Sequence, residues 1–147
     1  MKKYILTLAC LSMITVLIAR NYDIKILPAK AKAFIETAFP DKNILYIEAD
    51  RDLDDPLTYE VKFADGAEVE FDKSGRWYKI DCVRTPVPLM AIPEGIQNFI
   101  SANAPQGSFV TEIERIRGGY EVELNNGADL HLTEAGQPLG KKRDIWD

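Results

Sequence analysis

Histidine is almost absent from this chain, with His131 the only one. That excludes a multi-histidine metal site and would force any Ser-His-Asp or Cys-His arrangement onto a single residue. His131 alternates with Leu130 and Leu132, so strand parity puts it on the outer side of a sheet. Cysteine is nearly as scarce. Cys10 lies in an N-terminal apolar run, which leaves Cys82 alone in a processed chain and rules out an internal disulfide there. Cys82 shares parity with Tyr78 and Ile80 and reads as a small buried apolar residue, facing away from His131. No glycine-rich phosphate loop follows a strand, because Gly118-Gly119 reads as a turn before Tyr120. With no converging nucleophile, base and oxyanion donors, the sequence points away from an enzyme and names no catalytic residue, cofactor or metal ligand.

Excess positive charge is also missing. The net charge is −5, and loss of Lys2 and Lys3 with the N-terminal segment would make it more negative still, which argues against nucleic acid as a partner. Long apolar runs are limited to residues 4–19, between Lys2-Lys3 and Arg20. A basic start, an apolar core and a small residue at its end are the layout of a secretory signal, and the run is short for a bilayer span of about 20 residues. We therefore expect residues 1–19 to be a cleaved signal peptide, the product to be periplasmic or secreted, and no stable membrane span to remain. Two alternatives stay open: an uncleaved anchor, since Leu17 is an imperfect cleavage-site residue, and a lipid on Cys10 after Leu8-Ala9, behind a shorter apolar core than signals need.

What is present is turn chemistry. Tyr59, Val61 and Phe63 alternate with Glu60 and Lys62; Val69 and Phe71 alternate with Glu68 and Glu70. Asp65-Gly66 between them predicts a hairpin closed by a tight primed turn. Gly75 marks a second turn, and residues 77–80 read as a third strand. Upstream, Pro28 suits the first position of a helix that Pro40 ends, with Leu27, Ala31, Phe34, Ile35 and Ala38 on one face. A first strand follows at residues 44–49. Residues 50–56 are a polar connection whose Asp50, Asp52, Asp54 and Asp55 alternate as calcium-loop acids do, without that motif's glycine and distal glutamate.

The pattern occurs twice. An offset of 65 maps Leu27, Pro28, Ala31, Phe34, Ile35 and Pro40 onto Ile92, Pro93, Ile96, Phe99, Ile100 and Pro105. An offset of 61 maps Tyr59-Glu60-Val61 onto Tyr120-Glu121-Val122, Asp65-Gly66 onto Asn126-Gly127, and Gly75 onto Gly136. The expected organisation is a first repeat at 20–82, a linker at 83–91 containing Pro86 and Pro88, and a second repeat at 92–147, the two forming one compact domain. The fold class is α+β: two tandem repeats, each a helix followed by an antiparallel β-meander of about four strands, with the helices on one face. Pro138 stands where the first copy has Trp77, so the last strand should be an edge or irregular, and Ile145-Trp146 could restart it.

A secretory start followed by two such units resembles the PepSY-like family related to the beta-lactamase-inhibitor-protein fold. The resemblance covers residues 26–139 and is most specific at Ala64-Asp65-Gly66-Ala67-Glu68-Val69-Glu70-Phe71-Asp72 with Gly75 and Trp77. Leu132-Thr133 and Pro138 depart from it in the second copy. It implies an exported, non-catalytic binding protein, with inhibitors and propeptide-like modules among distant relatives, engaging another exported protein or a cell-envelope component. It supplies no catalytic residues. A calcium-responsive envelope protein using residues 50–55 is the alternative, and a hydrolase with an unrecognised site a weaker one. Parity places Glu60, Lys62, Glu68, Glu70, Trp77, Lys79 and Asp81 on the open face of the sheet, joined by Glu121, Glu123, Asp129 and His131. Trp77 among these charges is the expected anchor for a partner. Oligomeric state is not legible in the sequence.

Overall fold

The computed structural model describes residues 23–51 and 56–140. The expected signal segment, Asp52, Asp54 and Asp55 of the acidic connection, and Ile145-Trp146 lie outside the described residues.

Helix α1 spans Ala29–Ala38 and helix α2 spans Glu94–Asn103, each entered from a proline, Pro28 and Pro93. Proline there fixes the entry angle without removing a helical hydrogen bond. Strands β1 (Ile44–Asp50), β2 (Thr58–Phe63), β3 (Glu68–Asp72) and β4 (Trp77–Asp81) follow α1. Strands β5 (Val110–Ile116), β6 (Gly119–Leu124) and β7 (Asp129–Leu132) follow α2. All seven form one antiparallel sheet in sequence order, with β4 hydrogen-bonded to β5. The second half therefore has three strands, not about four. Its fourth is reduced to a single bridge between Leu132 and Pro138, because proline has no N–H to extend the ladder.

The inner face of the sheet carries an aliphatic row that crosses every strand: Ile47, Val61, Val69, Ile80, Ile113, Val122 and Leu130, each directly opposite the next. Leu27, Ala31 and Ile35 of the first helical segment and Ile92, Ile96 and Ile100 of the second are buried in the same core. Phe34 meets Phe71 edge-on at 6.0 Å. One core thus runs through both halves. Of the residues expected in it, Phe34, Phe99 and Leu130 are only half-buried.

The hairpin turns differ from expectation. Gly66 and Gly127 have φ of 92° and 80°, but Asp65 and Asn126 do not share the left-handed region. Each loop is closed by paired backbone bonds, Phe63 N–H to Ala67 O (2.8 Å) with Gly66 N–H to Phe63 O (3.0 Å), and Leu124 N–H to Ala128 O (2.9 Å) with Gly127 N–H to Leu124 O (2.8 Å). This is the three-residue loop with one left-handed glycine, not the two-residue primed turn. Asp65 and Asn126 serve as side-chain acceptors, each taking the N–H two residues on at 3.1 Å.

The later turns repeat this geometry and seat the helices. Gly75 and Gly136 both have φ of 77°. A Cβ on Gly75 would lie 2.8 Å from Pro28 Cβ and 2.9 Å from Ala31 N; one on Gly136 would overlap the Gly95 carbonyl. Each helix start rests on a turn that only glycine leaves open.

Strand β4 departs from the expected alternation. Glu70 lies opposite Lys79 but Phe71 lies opposite Trp77, so Tyr78 is an extra residue in a β-bulge. The bulge reverses parity at this one point. Trp77 turns into the core, 8% exposed, and Tyr78 turns outward, where its hydroxyl donates to Glu70.

Candidate binding face

Helices cover one side of the sheet and leave the other to solvent, and the register decides which charges meet there. Two rows cross all seven strands. The first is Glu48, Glu60, Glu70, Lys79, Glu114, Glu121 and His131; the second is Tyr46, Lys62, Glu68, Asp81, Glu112, Glu123 and Asp129. Ten carboxylates thus stand against two lysines and one histidine. Seven of the directly opposed pairs are acid against acid, as in Asp81 opposite Glu112 and Glu123 opposite Asp129. Like charges directly across a sheet are destabilising, so this arrangement works against the fold.

Part of the charge is compensated. Lys62 Nζ bridges Glu68 at 2.5 Å and Lys79 Nζ bridges Glu112 at 3.2 Å. The hydrogen bond to Glu68 holds Lys62 protonated above the ordinary lysine value. Burial opposes the charge on Lys79, but Glu112 and the neighbouring acids outweigh it and raise its pKa. Burial raises the Glu112 carboxyl; Lys79 counters this, and Asp81 and Glu123 add to it. Tyr46 donates to Glu60 at 2.5 Å, a bond that pushes its hydroxyl up to about 12. Burial and then the bond to Glu70 raise Tyr78. His131 lies 3.4 Å from Glu121 and is exposed. The pairing is concentrated in the first half. Among the described residues Glu114, Glu123 and Asp129 have no cation within 4.0 Å.

Of the residues expected on this face, Glu60, Lys62, Glu68, Glu70, Lys79 and Asp81 lie on it together, with Glu121, Glu123, Asp129 and His131. Trp77 does not. It packs on the opposite side, 6.4 Å from the ring of Phe34 and 6.2 Å from that of Tyr120, and cannot anchor a partner on the acidic face. Five outward residues are not among those expected: Tyr46, Glu48, Tyr78, Glu112 and Glu114. The last two had a signal, the alternation of Glu112, Ile113 and Glu114. Cys82 is free and buried on the core side, where burial pushes its thiol up to about 11, away from reactivity.

The family described as beta-lactamase-inhibitor-like, PepSY-like matches residues 57–139, the meander of the first half through the last turn of the second. The chain belongs to the PepSY-like family. Among solved structures, a periplasmic protein of unknown function from Bacteroides vulgatus is 37% identical, with a TM-score of 0.74 over 81% of this chain and 94% of that one. A periplasmic protein from Bacteroides thetaiotaomicron, named as calcium-regulated, is 34% identical, with a TM-score of 0.74 over 80% and 91%. A second Bacteroides vulgatus periplasmic protein is 32% identical, with a TM-score of 0.71 over 76% and 86%. No curated protein matches. The periplasmic location expected from the sequence agrees with these PepSY-like relatives. Among the described residues no helix is long and apolar enough to cross a membrane.

Proposed function

We propose that this PepSY-like protein is an exported, non-catalytic binding module that engages a basic protein or cell-envelope component through the open face of its sheet and acts as an inhibitor or regulator of it. Two duplicated units, residues 20–82 and 92–147 joined by 83–91, would each supply part of that face. The observation that carries the reading is the seven acid–acid pairs built into the two cross-sheet rows. Such pairs oppose folding, and a cationic partner lying across them would relieve the repulsion and be steered by it. The test is cross-linking in the native envelope, comparing the parent with a Glu114→Gln, Glu121→Gln, Glu123→Gln variant. Capture of a basic partner should weaken with salt and fail in the variant while its melting midpoint is kept or raised. Equal capture by both proteins would remove the face from consideration.

A second reading is regulation by calcium. It is favoured by the name of the Bacteroides thetaiotaomicron relative and by the acids of residues 50–55. The described residues contain no group of three or more His, Cys, Asp or Glu placed to hold a metal ion. A ligand that binds only the native state raises its midpoint, so melting with calcium and with a chelator separates the two readings.

A further inference from the structure

On the helix side of the sheet, away from the acidic rows, Arg115 occupies an inward position of β5 opposite Tyr120. Its guanidinium carbon lies 4.0 Å from the ring centre of Trp77 and 5.1 Å from that of Tyr120. Nε donates to the Trp77 carbonyl at 3.0 Å and Nη1 to the Tyr120 hydroxyl at 2.5 Å. Two of the five N–H donors of the guanidinium are thereby used, and those two bonds hold it against two adjacent aromatic rings. Among the described residues no carboxylate lies within 4.0 Å of it, although every other half-buried cation of the sheet is paired.

Arg115 also lines an open cavity of ≈ 340 Å³ at the end of the sheet where the turns after β3 and β5 lie. Arg76 stands in its wall with Nε tied to Asp72 at 3.1 Å, and Ile116, Gly118, Gly119 and Tyr120 complete that wall. Glu134 is its one acid and lies beyond salt-bridge distance of either arginine.

We propose that this cavity binds the carboxylate of a peptide-like ligand, held by the remaining donors of Arg115 with Arg76 as the second cation. A guanidinium whose plane is locked and whose outer edge is unspent suits a planar two-oxygen acceptor. A carboxylate fills that guanidinium fork with its only two oxygens, whereas a phosphate leaves two more for which the charged lining offers only Arg76, against Glu134. The proposal is independent of the acidic face, whose partner has the opposite sign.

The test follows the Arg115 side-chain N–H resonance of the full chain during titration with acetate, N-acetylglycine and N-acetyl-aspartate amide, with chloride at matched ionic strength as control and inorganic phosphate as competitor. Saturable shifts with the carboxylates are expected. Arg76→Gln should weaken them about tenfold, the loss of one charge-assisted hydrogen bond, and Glu134→Gln should tighten them severalfold. Both residues are exposed, so these variants keep the test decisive even if changes at Arg115 itself disturb folding. Stronger binding of N-acetylglycine points to a chain terminus as the source, stronger binding of the aspartate amide to an acidic side chain, and either supports the site. Shifts no larger than those of chloride, tighter binding of phosphate, or indifference to both variants would overturn it. Binding seen only after Asp144→Asn and Asp147→Asn would give the cavity to the chain's own carboxylates and overturn the external ligand.

Discussion

Trp77 stands directly opposite Phe71 across β3 and β4, and the register that joins them is set by one inserted residue, Tyr78. The pairing has a counterpart in the second half, where Pro138 bridges Leu132. Trp77 also adds a contact between the halves, since its carbonyl and its ring both hold Arg115. Trp77→Ala should therefore cost about 3–5 kcal/mol, the usual loss for a large buried aromatic. Chemical denaturation measures it, and a change below about 1 kcal/mol would show that the indole is not part of the core.

The glycine turns allow a controlled comparison. Gly127 and Gly136 share a left-handed backbone, at φ of 80° and 77°, but a Cβ at Gly127 meets nothing within 4 Å while one at Gly136 overlaps the Gly95 carbonyl. Gly127→Ala should lose only the backbone strain, about 1–2 kcal/mol. Gly136→Ala should lose more, because helix α2 must also move. Equal losses by urea titration would mean that the helix does not rest on this turn.

The acid–acid rows make a prediction about salt. Glu123 is flanked across the sheet by Glu112 and Asp129. Glu123→Gln should stabilise by about 0.2–1 kcal/mol, and Lys79→Gln, which removes a cation standing between Glu70 and Glu114, should destabilise. Both differences should shrink in about 0.5 M salt as the charges are screened. Thermal melts at low and high ionic strength read this directly.

Two acids should impose opposite pH dependences. Burial raises Asp72, but the hydrogen bonds from Ser74 and Arg76 outweigh it and hold the carboxyl below its ordinary value. A depressed acid stabilises above its unfolded pKa and loses that contribution as pH falls through its folded one. Glu112, raised chiefly by burial, does the reverse: its penalty is absent in acid and grows as pH rises through the window between the ordinary glutamate value and its own. Denaturation between about pH 2 and 7 should show Asp72→Asn with a flatter acid limb. Glu112→Gln should gain on the parent toward neutral pH and not in acid.

The chain by itself determined the local structure. Pro28 and Pro93 start the helices, Gly66, Gly75, Gly127 and Gly136 place the turns, and alternation along β2, β3, β6 and β7 assigns inward and outward side chains within each strand. These are properties of neighbouring residues, legible without a partner strand. Only the tertiary structure decided the side taken by Trp77, because a bulge exists between two strands and shifts parity without a mark in either sequence. It likewise decided that β4 pairs with β5, which aligns Glu70, Lys79, Glu114 and Glu121 into one row and brings Arg115 onto a tryptophan 38 residues away. Strand order is settled by burial of the shared core, and that free energy depends on the whole sheet at once.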